Sequence, residues 1–145
     1  MKQLLTILSL ILGFTFCSMT DLQAQTKEGN ASFYHNKFNG RKTATGEIFS
    51  NSGFTAASNF FPLNSYVKVT NKKNGRFIYV KINDRMGHPT RAIDMTETGA
   101  ILLGYKNSGT TKVHIEVVSP EEGKRKILAQ KQEQQGKPAH QPKKL

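Results

Sequence analysis

Two aspartates, Asp84 and Asp94, lie in residues 81–95, KINDRMGHPTRAIDM, directly after a run that is typical of a buried strand. A carboxyl group at such a position can transfer protons to and from a bound ligand. It can equally serve the fold, by accepting backbone N–H groups or by pairing with a neighbour such as Arg85. For Asp84 both interpretations are open. Asp94 precedes Thr96, a candidate helix cap, by two residues, so we expect Asp94 to satisfy backbone groups there.

Alternating apolar and polar residues predict the strands that position these aspartates. Residues 66–70, 76–83 and 111–118 each place their branched apolar residues on one face. Asn74-Gly75 separates the first two runs and predicts a tight hairpin. We therefore expect one core that contains the following side chains: Val67, Val69, Ile78, Val80, Ile82, Val113, Ile115 and Val117.

One helix is predicted between Thr96 and Gly104. Thr96 is a suitable N-cap, Glu97 complements the positive first turn, and residues 100–103 supply an apolar face before the terminating glycine. The remaining pattern is that of strands. Because residues 29–118 must bury a core without cross-links and leave no exposed strand edge, a closed, mainly β barrel is the expected fold.

The first residues of the chain predict export. Residues 1–24 combine a basic start, an apolar run over residues 4–16 that is too short to span a bilayer, and Ala24 as a small residue at the cleavage site. No second apolar run follows, so no transmembrane segment is predicted. Cleavage near Ala24 would remove Cys17, whereas lipoprotein processing would lipidate Cys17. The bulky Phe16 disfavours lipidation, and we expect a protein of the periplasm or cell envelope without a lipid anchor.

The last part of the chain is polar and basic. Over residues 119–145 we predict a disordered tail, with the option of a short helix near residues 124–132. This tail is too short for a second domain. The folded domain is therefore expected to span residues 25–118, as a monomer.

The net charge indicates which partners the protein could bind, and the spacing of its histidines indicates whether it could bind a metal. The formal net charge of +11 favours an anionic partner. The export signal disfavours nucleic acid and leaves wall glycan or anionic polymers of the envelope. His35, His88, His114 and His140 show no metal-ligand spacing, so we expect neither a metal nor another cofactor.

A series of short motifs runs through the predicted domain: residues 29–34 (GNASFY), 38–47 (FNGRKTATGE), 54–57 (FTAA), 69–71 (VTN), 74–76 (NGR), 82–85 (INDR), 93–95 (IDM) and 103–104 (LG). In order and approximate spacing this series resembles the rare lipoprotein A (RlpA-like) family. The resemblance implies a six-stranded double-psi β-barrel with one or two short helices, a fold also found in expansins and some endoglucanases.

The same resemblance implies an endolytic lytic transglycosylase of peptidoglycan. Such an enzyme cleaves the MurNAc-β-1,4-GlcNAc bond without water and leaves a 1,6-anhydro end, and family members favour strands stripped of stem peptides. An acid must protonate the poor leaving group, after which the sugar's own C6 hydroxyl attacks C1. In the family this acid is the aspartate of the Asn-Asp-Arg motif, here Asp84, with the glutamate at Glu47 beside it. Two adjacent carboxylates would raise the pKa of one of them.

Arginines and aromatic residues near these motifs could bind the sugar. Arg85 and Arg91 could hold glycan or anionic groups, or pair with the acids. Tyr34, Phe38 and Tyr79 could stack on sugar rings, although aromatic residues in strands usually belong to the core.

Departures from the family pattern keep a second hypothesis open. Ser58 stands where the family has an active-site histidine, and Phe33 and His35 replace its usual tryptophan and glycine. A serine can form hydrogen bonds with a substrate but cannot carry a charge. The alternative is a noncatalytic, expansin-like module that binds glycan or loosens the wall. Retention of Glu47 and Asp84 favours the enzyme, whereas Ser58 favours the binding module.

Overall fold

Six strands close into a barrel in the computed structural model, which describes residues 25–136. The predicted signal with Cys17, and residues 137–145, lie outside the described residues. In chain order the elements are β1 (Thr26–Phe33), a short 3-10 turn (Asn36–Phe38), β2 (Thr55–Ala57), β3 (Tyr66–Asn71), β4 (Phe77–Asp84), β5 (Ile93–Met95), α1 (Glu97–Leu103), β6 (Thr111–Val118) and α2 (Pro120–Gln135).

The strand order around the barrel is β1-β5-β2-β4-β3-β6, and β6 pairs with β1 to close it. Strands β1 and β5 run parallel, as do β2 and β4, and the other neighbours are antiparallel. Closure gives every strand two neighbours, so that no strand lies at an open edge of the sheet. The predicted six-stranded, mainly β double-psi barrel is confirmed.

The side chains predicted from period-two alternation fill the barrel. Seven of the eight are at most 5% exposed, and Val117 is partly buried against the same cluster. Across β3 and β4, Val67 faces Val80 and Val69 faces Ile78. Because each fully buried side chain of this size contributes about 1.5–3 kcal/mol, this core is the main source of stability for the barrel.

The β3–β4 hairpin turns at Asn74 and Gly75, as predicted. Gly75 has a φ of +75°, a conformation that favours glycine. The Asn74 side chain accepts a hydrogen bond from the Arg76 N–H and donates one to the Leu103 carbonyl, each 2.9 Å long. The hairpin is thereby tied to the end of α1.

The predicted helix α1 begins and ends at the expected residues. The Thr96 hydroxyl accepts a hydrogen bond from the Gly99 N–H at 3.1 Å, and Gly104 ends the helix with a φ of +79°. Ala100 and Leu103 are fully buried against the barrel. The short helix therefore packs against the barrel, in contact with β4, β1 and β5.

The polar segment after the barrel differs from the predicted disordered tail. Residues Pro120–Gln135 form a continuous helix, α2, which includes the short helix considered for residues 124–132. Ser119 caps it by accepting a hydrogen bond from the Glu122 N–H. The helix has Pro120 in its first turn, a position where proline is well tolerated.

Helix α2 docks on β3 and β4 through apolar and polar contacts, and Ile127 packs against the core of the barrel. Gly123 lies so close to Tyr66 that a β-carbon added there would be 2.3 Å from the Tyr66 Cβ. The Gln130 side chain accepts a hydrogen bond from the Tyr79 N–H at 2.7 Å and donates one to the Tyr79 carbonyl at 2.8 Å. None of the helices within residues 25–136 has the length and apolarity needed to cross a membrane.

Candidate active site

A groove of about 880 Å³ opens at the end of the barrel where β1 and β4 finish. The chain segments after these strands, together with β5, form its walls. Five of the predicted site residues line it: Tyr34, Asp84, Arg85, Arg91 and Asp94. The groove is therefore the place where most of the predicted site comes together.

Asp84 reaches the groove because of an irregularity in the β2–β4 pairing. Ala56 pairs with Ile82, but Ala57 pairs with Asp84, so Asn83 is the extra residue of a bulge. The Asn83 carbonyl instead accepts a hydrogen bond from the Thr45 N–H at 3.2 Å. A bulge of this kind redirects the side chain that follows it.

Three hydrogen-bond donors hold the Asp84 carboxylate. The Tyr34 hydroxyl donates to Oδ2 at 2.7 Å, and the N–H groups of Ala44 and Arg85 donate to Oδ1 at 3.0 and 2.9 Å. None of the three donors carries a charge. The carboxylate is therefore oriented by neutral groups and still lines the groove.

Tyr34 belongs to an aromatic cluster on the wall of the groove. Its ring lies 4.3 Å from that of Phe49 and 5.8 Å from that of Phe38, measured between centroids. Burial, followed by the hydrogen bond to Asp84, raises the pKa of the Tyr34 hydroxyl well above its usual 10. Tyr34 is thus a neutral donor at physiological pH, and its side chain lines the groove.

Glu47 lies away from this carboxylate. Its side chain forms an ion pair with Lys81 at 2.7 Å and accepts a hydrogen bond from the Thr45 hydroxyl at 3.0 Å. It lines a separate cavity of about 440 Å³ between the barrel and α2. We expected Glu47 to lie close enough to Asp84 to interact, but the two side chains line different cavities and have different partners. The hydrogen bond from Lys81 is the main reason that the pKa of Glu47 is lowered, not raised.

Asp94 also differs from its prediction. Its carboxylate pairs with Arg91, with an Nη2–Oδ2 hydrogen bond of 2.8 Å and an Nε–Oδ1 contact of 2.6 Å. Thr96 caps α1 without it. Asp94 therefore does not point into backbone near the helix start. It is buried at the groove, where Arg91 supplies its counter-charge.

Arg85 and Ser58 have structural contacts that the sequence did not reveal. The Arg85 guanidinium donates to the Phe61 carbonyl at 2.7 Å and to the Ser58 carbonyl. Ser58 is fully buried, and its hydroxyl donates to the Ala92 carbonyl at 2.8 Å. Ser58 does not line the groove, so its predicted contact with substrate is not available in this arrangement.

Tyr79, a candidate for sugar stacking, does not line the groove. It is 7% exposed, and its backbone is bonded to Gln130 of α2. The other two candidates, Tyr34 and Phe38, both line the groove.

Sequence reasoning missed three cations on the groove wall: Lys37, Arg41 and Lys42. The clustering of basic residues in the segment KFNGRK, residues 37–42, was the available signal. Within residues 25–136 no group of three or more histidine, cysteine, aspartate or glutamate side chains could hold a metal ion.

The closed barrel of six strands, with parallel and antiparallel pairs, is a double-psi β-barrel. A groove lined by two aspartates opens at its end. Residues 26–115 match the sequence model of the family described as "Lytic transglycolase". The chain belongs to this family, as an RlpA-like double-psi β-barrel.

Curated relatives carry the name endolytic peptidoglycan transglycosylase RlpA. The protein of Neisseria meningitidis serogroup A is 47% identical over 96 residues, which cover 66% of this chain and 40% of that protein. The protein of Pseudomonas aeruginosa strain UCBPP-PA14 is 42% identical over 111 residues, or 76% of this chain and 33% of that protein. The chain thus matches less than half the length of these relatives.

Solved structures of lower identity share the fold. The Streptomyces papain inhibitor has a TM-score of 0.53 at 23% identity, covering 66% of this chain and 96% of the inhibitor. A mutant expansin of Clavibacter michiganensis in complex with cellohexaose has a TM-score of 0.53 at 18% identity, covering 66% of this chain and 51% of the expansin.

Proposed function

We propose that this protein is an endolytic lytic transglycosylase of peptidoglycan, which cleaves MurNAc-β-1,4-GlcNAc bonds and leaves 1,6-anhydro-MurNAc ends. Family membership and the names of the relatives support the substrate class. The observation that carries the proposal is the Asp84 carboxylate, held by three neutral donors at the wall of a groove of about 880 Å³.

In the proposed reaction Asp84 acts first as acid and then as base. Its protonated carboxyl group gives the proton to the glycosidic oxygen as the C1–O bond breaks and oxocarbenium character develops at C1. The C6 hydroxyl of the same muramic acid then attacks C1, and its proton returns to Asp84. Tyr34 and Ala44 keep the carboxyl group in place for both steps.

Glu47 enters this proposal with a different role from the predicted one. Its partner Thr45 follows Ala44, the residue whose N–H binds Asp84. The ion pair with Lys81 therefore anchors the loop over residues 43–47 on the barrel. We assign Glu47 to support of this loop, and through it to the orientation of Asp84.

Ser58 favours the noncatalytic alternative, an expansin-like glycan-binding module. Its hydroxyl is buried and bonded to Ala92, so it supplies no group to the groove in place of the family's histidine. The two functions differ in their products, because a binding module retains glycan strands without shortening them.

The test is to incubate the purified protein with denuded glycan strands and to analyse the products by mass spectrometry. We expect strands that end in 1,6-anhydro-MurNAc. Glu28→Gln, a change in an exposed carboxylate that pairs with Lys72 outside the groove, serves as a control and should form the same products. Intact strands that co-sediment with the wild-type protein would refute the enzyme and support the binding module.

The site of action is proposed to be the periplasm or cell envelope, reached through the signal over residues 1–24. N-terminal sequencing of the exported protein should find Gln25 near its start. A diacylated Cys17 would show instead that the protein is lipid-anchored.

A further inference from the structure

The cavity between the barrel and α2 is separate from the groove and shares no lining residue with it. The barrel supplies one wall, which includes Phe54, Tyr66 and the ion pair of Glu47 with Lys81. Helix α2 supplies the other wall. Its volume of about 440 Å³ lies within the range of small-molecule sites, about 300–1,000 Å³.

The wall supplied by α2 is one face of the helix. Ile127, Leu128 and Lys131 follow Lys124 by three, four and seven positions, a spacing that places side chains on the same side of an α-helix. The order along this face is a cation, two apolar residues and a second cation. The helix therefore offers the cavity an apolar surface with an ammonium group at each end.

The positive charges of this cavity exceed its negative charges. Among the described residues that line it, Glu47 alone is acidic, and Glu47 is paired with Lys81. Lys124 and Lys131 are exposed and form no ion pair with any residue within the described range 25–136. Two ammonium groups are therefore available to an anionic group of a ligand.

Apolar side chains lie between these two ammonium groups along the helix. Leu128 is 58% exposed, whereas Ile127 packs against the core and Phe54 is buried. An aliphatic chain against Leu128 would remove apolar surface from water, which is favourable in proportion to the area covered. A ligand with both an anionic and an aliphatic part thus complements this cavity better than either part alone.

Three contacts hold the two walls of the cavity together. Gly123 of α2 lies directly against Tyr66, and the Gln130 side chain is bonded to the backbone of Tyr79 on both its N–H and its carbonyl. Ser119 caps the start of the helix. The cavity is therefore a preformed feature of the docked helix, so a ligand need not order it.

We propose that the cavity between the barrel and α2 is a second binding site, which takes a single-chain amphiphile with an anionic phosphate or carboxylate head group. The head group is attracted by Lys124 and Lys131, and the aliphatic chain lies against Ile127 and Leu128. Lys81 keeps Glu47 as its partner. The site lies outside the groove, and its occupancy does not depend on whether the protein cleaves glycan.

The experiment compares a complete amphiphile with its two parts. The purified protein is titrated by calorimetry with octyl phosphate below its micelle concentration, with inorganic phosphate and with octanol. Inorganic phosphate has the charge without the chain, and octanol has the chain without the charge. The titration with octyl phosphate is repeated for Lys124→Gln combined with Lys131→Gln, and for Leu128→Gln alone.

We expect octyl phosphate to bind about tenfold or more tightly than either partial probe. The lysine pair of substitutions and Leu128→Gln should each weaken its binding by roughly fivefold or more. The control pair Lys73→Gln with Lys112→Gln removes the same charge from exposed lysines that line neither cavity, so it should leave binding unchanged. Because all substituted side chains are exposed, every variant should unfold at the wild-type temperature.

Backbone amide shifts in NMR spectra locate the ligand. Octyl phosphate should shift the amides of residues 53–55 and 124–131, which belong to the two walls of the cavity, and leave those of Asp84 and Arg85 at the groove unchanged. Shifts confined to the groove would overturn the inference.

Three further results would contradict the proposed site. Equal affinity for octyl phosphate and inorganic phosphate would show a simple anion site, and equal affinity for octanol would show a purely apolar one. Equal losses in the lysine pair and in the control pair would show that only the net charge of the protein matters. Binding to phosphatidylglycerol vesicles without binding to octyl phosphate would show a membrane-docking surface in place of a cavity for a free amphiphile.

Discussion

Asp84 and Glu47 differ in the charge of their partners, although one short loop contacts both. Ala44 binds Asp84 through its N–H, and Thr45 binds Glu47 through its hydroxyl. Asp84 is surrounded by neutral donors in an open groove, whereas Glu47 is paired with the Lys81 ammonium. The two carboxylates thus have different environments, and the proposed mechanism assigns proton transfer to Asp84 and support of the loop to Glu47.

The sharpest test of this comparison is Asp84→Asn. Asparagine preserves the size and most hydrogen bonds of the side chain but removes the transferable proton. We expect cleavage of denuded strands to fall by on the order of a hundredfold or more, while folding and glycan binding persist. Product formation measured by mass spectrometry decides the matter, and an active protein whose rate is unaffected by this change would contradict the mechanism.

Asp94→Asn tests the role of a carboxylate that lies in the groove but, like Glu47, has a cationic partner. The question is whether its loss lowers stability or cleavage. The change leaves the partly exposed Arg91 without its counter-charge, next to the buried side chain at position 94. We expect a loss of about 1–3 kcal/mol in the free energy of unfolding, measured by urea denaturation. A loss of cleavage at full stability would show that Asp94 takes part in the chemistry.

Tyr34→Phe tests the contribution of a neutral hydrogen-bond donor to Asp84. It removes the hydroxyl that donates to Asp84 and keeps the ring contacts with Phe38 and Phe49. Because a hydrogen bond to a charged group contributes about 1.5–3 kcal/mol, we expect cleavage to fall by about tenfold or more. Tyr66→Phe, at a tyrosine outside the groove, is the control. Equal rates for both variants would remove Tyr34 from the proposed mechanism.

The smallest effect is expected for Glu47→Gln. The Glu47 side chain is 40% exposed, so its pair with Lys81 should contribute less than about 1 kcal/mol. The folded-state pKa lies below the ordinary 4.5, so this contribution is complete above pH 4.5 and is lost as the pH falls through the folded-state value. The stability difference between wild type and variant should therefore disappear in acid. A difference that grows in acid would contradict the assigned pair.

The sequence predicted those parts of the fold that repeat a local pattern. Alternation located the inward side chains of β3, β4 and β6, and the Asn74-Gly75 turn and the caps of α1 were read from single residues. A local pattern could not predict the docking of α2. The docking depends on the absence of a side chain at Gly123, which allows a close contact with Tyr66, and on the side-chain amide of Gln130.

The sequence predicted most of the residues that line the candidate site, but not how they are arranged. The family resemblance predicted Asp84 at a groove, and the structure places Tyr34 and Arg91 on the wall of the same groove. The separation of Glu47 from Asp84 depends on the path of residues 43–47, which no periodic pattern describes. Burial of Ser58 depends on its bond to Ala92, a residue 34 positions away.

The two hydrogen bonds between Gln130 and Tyr79 substitute for a strand. Strand β2 pairs with β4 only from Lys81 onward, so the backbone of Tyr79 lies beyond its end. The Gln130 amide presents one donor and one acceptor, as a neighbouring peptide group would. Without α2, the N–H and carbonyl groups of Tyr79 would lose these partners at the edge of β4, the kind of edge to which an extended segment of another chain can add.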